Sequence, residues 1–203
     1  PAEPLFRSNY IYASLGPDGI AAYSFNGIDS FTLLNSTDDA SFYAYRHLFW
    51  DGETSSLHVA CEGDGIFAYT FNENETSEFW LKDTQYDSGY GFPEDIWGDG
   101  NNLFVATRYD EDATWGNILA YTFDGESYSS LIDSDGQAEQ ADYYGVHGDG
   151  TYIYVADSNY GGNNIGMRAY SFDGNFTAED NYYDGNSLYG IYADENYIYT
   201  TCY

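Results

Sequence analysis

The sequence predicts an all-β chain, a β-propeller of four-stranded antiparallel blades with four complete repeats and a half blade at the C-terminus. Three recurring phrases predict it. AAYSFNG at 21–27 returns as FAYTFNE at 67–73, LAYTFDG at 119–125 and RAYSFDG at 168–174, with the central tyrosines 46, 52 and 49 residues apart. A second phrase runs in step and occurs five times: NYIYAS (9–14), SLHVAC (56–61), NLFVAT (102–107), TYIYVAD (151–157) and NYIYTTC (196–202). A third precedes it, an apolar pair closing on an Asp turn: LFWDG (48–52), IWGDG (96–100), VHGDG (146–150) and IYADE (191–195). Pro4-Leu5-Phe6-Arg7-Ser8 reads as its degenerate first copy.

Each phrase is short, rich in Tyr, Phe, Ile and Val, and bounded by Asp-Gly, Asn-Gly or Gly-Asp-Gly, the pattern of strands joined by tight hairpins. No stretch carries a helical period. From the channel outward, the apolar-Asp phrase forms the innermost strand, the YIYVA phrase the second and the AYxF phrase the third. A weaker outer strand follows, as in Phe31-Thr32-Leu33-Leu34, Phe79-Trp80-Leu81 and Tyr128-Ser129-Ser130-Leu131-Ile132. The blades then span about 3–34, 45–84, 92–133 and 143–180, with a partial one at 188–203, in a single domain. Both faces of a blade press on neighbours, so most of the 24 tyrosines and 13 phenylalanines are expected between blades.

A half blade leaves a strand edge unpaired, which invites association. The sequence reads most simply as a fragment of a longer protein; strand donation from a neighbouring molecule, or a cap, is the alternative. Self-association or a protein partner is therefore expected at the open edge.

Lys plus Arg number 5 against 34 Asp plus Glu, a formal net charge of −29. Such a surface repels phosphate backbones and anionic headgroups, which argues against nucleic acid, and no apolar run reaches membrane-spanning length. The turn acids Asp51, Asp99, Asp149 and Asp194 fit hairpin geometry better than ligation. No cofactor is required by any motif. Calcium is the one ion considered, at Asp133, Asp135 and Glu139, where Asp-Ser-Asp-Gly resembles the opening of a calcium loop without its remaining spacing.

Cys61 and Cys202 both end a second strand, three repeats apart, too far for a bond within one ring. Two buried thiols, or an interchain bond from Cys61 of one subunit to Cys202 of the next, are the readings left open. Sequons at Asn35, Asn74 and Asn175 fall in or beside turns and point to an extracellular or cell-surface glycoprotein.

No GxSxG, HExxH, Walker or zinc-spacing motif occurs, and His47, His58 and His147 stand singly. The innermost strands begin Tyr45-Arg46-His47, Glu94-Asp95, Tyr144-Gly145 and Tyr189-Gly190, so a single blade offers carboxylates to a channel metal. The expectation is a non-enzyme. Enlarged loops in blades 3 and 4 supply Tyr109, Asp110, Asp112, Trp115, Asn159, Tyr160 and Asn163, aromatic faces with amides and acids that suit glycans.

At IWGDGNNLFVAT, VHGDGTYIYVAD and RAYSFDG the chain resembles the tandem β-propeller repeats of prokaryotic, viral and metagenomic surface proteins of the LVIVD or YVTN-like kind. The resemblance implies blade geometry and a surface or secreted setting, and transfers no catalytic residue. The expected function is a non-enzymatic extracellular structural or adhesion protein, as a subunit of a surface fibre or layer assembled through the incomplete blade. A carbohydrate-binding module on the blade 3 and 4 loops is the alternative, and a calcium-dependent lactonase-like hydrolase the third reading.

Overall fold

The computed structural model describes residues 10–38, 44–72, 77–87, 89–109, 116–136, 142–158, 166–182 and 187–202. Seventeen strands form among them, in five antiparallel sheets that follow one another along the chain. The first sheet holds β1 (Tyr10–Ser14), β2 (Ile20–Phe25) and β3 (Phe31–Thr37). The second holds β4 (Tyr45–Asp51), β5 (Ser56–Cys61), β6 (Gly65–Asn72) and β7 (Glu78–Gln85). The third holds β8 (Phe92–Gly98), β9 (Leu103–Arg108), β10 (Ile118–Tyr121) and β11 (Asp133–Asp135). The fourth holds β12 (Tyr143–Gly148), β13 (Ile153–Asp157), β14 (Met167–Phe172) and β15 (Phe176–Tyr182). The fifth pairs β16 (Leu188–Ala193) with β17 (Ile198–Cys202). Innermost strands lie side by side, β4 against β8, β8 against β12 and β12 against β16. This is a β-propeller built of four-stranded antiparallel blades, ending in a half blade. The proposed first copy at 4–8 lies outside the described residues.

The hairpins form because the turn acids cap them. The Asp99 carboxylate accepts from the Asn101 and Asn102 amides at 2.8 and 2.7 Å, Asp149 from Thr151 and Tyr152 at 2.8 and 2.9 Å, and Asp194 from Asn196 and Tyr197 at 2.8 and 2.9 Å. Those amide bonds hold the Asp194 carboxyl below its ordinary range. Asp51 accepts from Glu53 at 2.9 Å in the corresponding turn.

The core is a set of seams between blades. One gathers Ile20, Leu57, Val59 and Phe67, a second Ala60, Ile96, Val105 and Leu119, a third Phe104, Ile118, Val146 and Val155. Close approach at these seams is set by small residues: a Cβ on Gly98 would lie 2.7 Å from Phe49 Cε1, and one on Gly148 would lie 2.6 Å from Trp97 Cζ3. Buried tyrosine hydroxyls meet within a blade, from its first strand to its third, Tyr143 to Tyr170 at 3.1 Å and Tyr45 to Tyr69 at 3.4 Å.

The outer strand of the third blade departs from expectation. Tyr128–Ile132 is not its strand; the ladder forms at Asp133–Asp135 and Tyr128 makes an isolated bridge to Phe123. Tyr128 is instead drawn to the second blade, its amide donating to Asp83 Oδ2 at 2.8 Å and its hydroxyl meeting His58 Nδ1 at 2.9 Å.

Candidate functional site at the channel mouth

Each of the second to fifth sheets carries a β-bulge at the same rung of its innermost strand: between Tyr45 and His47, Pro93 and Asp95, Tyr143 and Gly145, and Leu188 and Gly190. A bulge adds one residue to a strand and re-aims the side chains beside it. The added residues are therefore Arg46, Glu94, Tyr144 and Tyr189, each followed by His47, Asp95, Gly145 or Gly190. Charged pairs occupy blades 2 and 3, and Tyr-Gly pairs occupy blades 4 and 5.

The charged half closes into a quartet. Arg46 pairs with Glu62, Arg108 with both Glu62 and Glu94, and Arg46 Nε lies 3.5 Å from Glu94 Oε2. Blade 2 thus contributes one arginine and one glutamate, and blade 3 the same. Arg108 also covers the Phe92 ring, 4.9 Å from its centroid. Burial, helped by the nearby Glu62 carboxylate, raises the Glu94 carboxyl, and the two arginines counter it without reversing it. Burial works against charge on Arg108, but its bond to Glu94 and the nearby Glu62 lift its pKa overall.

Beside the quartet, His47 Nδ1 pairs with Asp95. Asp95 is fixed in turn by the Ile96 amide at 2.7 Å and the Val146 amide at 2.9 Å, so one carboxylate ties three blades together. Burial pulls the His47 pKa down, but Asp95 and the Ile96 backbone push it net upward. One blade on, His147 accepts the Ala193 amide on Nδ1 at 3.2 Å, with its ring between Trp97 (5.4 Å) and Tyr192 (4.5 Å). Burial lowers its pKa, as an acceptor nitrogen requires.

The aromatic half is Tyr144 and Tyr189, ring centroids 5.0 Å apart at 59°. Burial raises the Tyr144 pKa, followed by Asp142 and Glu94, while Arg108 lowers it; its hydroxyl therefore lies within the field of the quartet.

All four bulge dipeptides stand in the sequence, but their partners across the blades do not, and the histidines stand singly there. The signal lay in the alternating sign of Arg46 and Glu94 at equivalent positions. Of the proposed glycan platform, Asp110, Asp112, Trp115, Asn159, Tyr160 and Asn163 lie outside the described residues. Tyr109 is partly exposed, with its amide donating to Asp142 Oδ1 at 2.6 Å.

Of the proposed calcium ligands, Glu139 lies outside the described residues. Asp133 Oδ2 accepts the Phe176 amide at 2.7 Å, repeating the Asp83 to Tyr128 contact one blade earlier. Asp135 follows in β11. Among the described residues no three acidic, His or Cys side chains gather in a metal-binding group.

Asn35 is half-buried in β3, Asn175 is exposed in the β14–β15 turn, and Asn74 lies outside the described residues. Cys61 and Cys202 occupy equivalent rungs, opposite Tyr45 and Leu188, as free thiols. Cys202 is exposed. Cys61 is fully buried and its thiol pushed up to about 12, so bonding to another chain would require β5 to leave its packed position.

No family model matches the chain, and no curated protein matches its sequence. Solved structures match its shape. A candidate 6-phosphogluconolactonase from Bacteroides fragilis is 14% identical with a TM-score of 0.69, over 93% of this chain and 59% of that one. A second candidate 6-phosphogluconolactonase, from Bacteroides uniformis, is 13% identical with a TM-score of 0.66, over 91% and 58%. The Cps50 (Swd1) β-propeller domain of Myceliophteria thermophila is 10% identical with a TM-score of 0.64, over 96% and 63%. The chain spans about three fifths of the length of these proteins. At such identities the likeness shows the β-propeller fold alone.

Proposed function

We propose that the chain is a non-enzymatic extracellular or cell-surface propeller of the LVIVD or YVTN-like kind, serving in adhesion or as a subunit of a surface fibre or layer. The observation that carries this reading is the commitment of the channel-mouth charges to one another. Arg46, Arg108, Glu62 and Glu94 are paired in a ring, and His47 and Asp95 are held by each other and by backbone of the next blades. Groups so engaged stabilise blade seams and are poorly placed to exchange protons with a substrate.

Assembly is supported by the fifth blade, where Tyr192, Tyr197 and Tyr199 are all more than a third exposed. An aromatic sheet face of this kind favours contact with a further sheet, from elsewhere in the parent chain or from another copy. A surface setting is supported by the charge of −29 and by the exposed sequon at Asn175. Electron microscopy and intact mass after secretion from a glycosylating host test the proposal together. Ordered assemblies with glycan on Asn175 are expected; dispersed monomers without glycan would sink it.

The second reading, a lactonase-like hydrolase, is favoured by the His47–Asp95 pair and by the names of two similar structures. It requires His47 to serve as a base, and the Asp95 carboxylate paired with Nδ1 raises the pKa of that ring.

A further inference from the structure

We propose that the channel mouth binds a neutral, polyhydroxylated ligand, a pyranose ring of an oligosaccharide, laid on Tyr189 and Tyr144 and hydrogen-bonded by the Arg46–Glu62–Arg108–Glu94 quartet. The inference rests on the binding, non-catalytic reading above and adds what is bound and where.

Two halves of the site make the argument. Tyr189 is 42% exposed and Tyr144 half-buried at the equivalent bulge, so the aromatic pair offers ring surface to solvent. A tilted aromatic pair matches the C–H face of a sugar ring, which is apolar and flat, better than a charged group. Gly145 and Gly190 follow the two tyrosines and let the strands that carry them pack closely: a Cβ on Gly190 would lie 2.8 Å from Thr201 Oγ1, and one on Gly145 3.1 Å from the Ile191 nitrogen.

The charged half supplies directional bonds without net charge. Glu62 uses one contact per oxygen, Oε1 to Arg108 and Oε2 to Arg46, while a carboxylate has about four acceptor positions. Arg46 engages through Nε and Nη2, leaving donors on Nη1. Arg46, Arg108 and Glu62 side chains are 39%, 24% and 18% exposed, within reach of solvent and hence of a ligand. Donors and acceptors arrayed in alternation suit hydroxyl groups, which both give and accept. An anion is disfavoured because the two arginines are balanced by two glutamates, with Asp95 and Asp142 adjoining. A phosphorylated sugar therefore binds worse than its neutral parent.

A neutral-glycan array, followed by ligand-observed NMR with cellotetraose, maltotetraose and glucose 6-phosphate, tests the proposal. Binding of at least one neutral glycan is expected, weakened tenfold or more by Tyr189→Ala and largely kept by Tyr189→Phe. Glucose 6-phosphate should bind at least tenfold more weakly than the neutral sugars that bind. Thermal melting of Tyr189→Ala, exposed and at the end of the ladder, should match the parent and so separate lost binding from lost fold. No binding across the neutral array, binding untouched by Tyr189→Ala, or equal binding of the phosphate overturns the proposal. Assembly in the microscope without glycan binding would overturn this site while leaving the adhesion reading intact, and sugar turnover in place of binding would overturn that reading itself.

Discussion

Of the three histidines, His58 and His147 are pushed toward the neutral form and His47 toward the charged one. His58 is buried with Nδ1 on the Tyr128 hydroxyl, and burial lowers its pKa to about 4. Its folded value lies below the ordinary 6.5, so its contribution to stability is complete above about pH 6.5 and is lost as pH falls toward 4. The loss is on the order of 3 kcal/mol. His147 acts in the same direction. His47 acts in the opposite one, because its raised pKa gives stability that is full below pH 6.5 and declines as pH rises through the folded value. Thermal melting against pH should fall on the acid side, and His58→Phe should flatten that limb. An acid limb identical in the variant would show that His58 does not drive it. Sequence alone showed these residues as single histidines; their partners Tyr128, Asp95 and Ala193 lie 70, 48 and 46 residues away and become neighbours when blades stack.

At the element scale, the recurring device is a carboxylate reaching across a blade boundary to a backbone amide. Asp95 does so at the inner strands, and Asp83 and Asp133 at the outer ones. Asp133→Ala should lower stability by about 1.5 kcal/mol, the range for a hydrogen bond to a charged acceptor. Calcium should leave the melting temperature of parent and variant equally unmoved; a calcium-induced rise that Asp133→Ala abolishes would restore the ligand reading. Gly148→Ala should cost about 2 kcal/mol, since the added methyl meets the Trp97 ring at a packed seam. Repeats and turns are legible because each strand and each Asp turn is local: the YIYVA-type phrase marks one strand in all five sheets and the AYxF phrase the strand after it in four. The bulges were not, since an extra residue is defined only against the strand opposite. The displaced strand of blade 3 was missed for a related reason: Tyr128 answers to His58 and Asp83 in another blade.

Across the whole molecule 34 acids stand against 5 bases, and two of those bases are spent in a single quartet. Self-repulsion of the remaining acids should be relieved by salt, so the melting temperature should rise between low salt and 0.15 M, where screening shortens to about 8 Å. Arg108→Gln should lower stability by about 2 kcal/mol, because it leaves buried Glu94 with weaker compensation. The propeller was legible in the spacing of AYxF and YIYVA; the ring of charge inside it needed the blades in register.

The proposal above holds that the paired charges at this mouth do no catalysis. It is tested most directly by assaying the 203-residue chain against a panel of lactones and esters, with and without calcium, beside Asp95→Asn. The account predicts no turnover above background for either protein. Hydrolysis of any member of the panel by the parent chain, abolished in a folded Asp95→Asn variant, would contradict it.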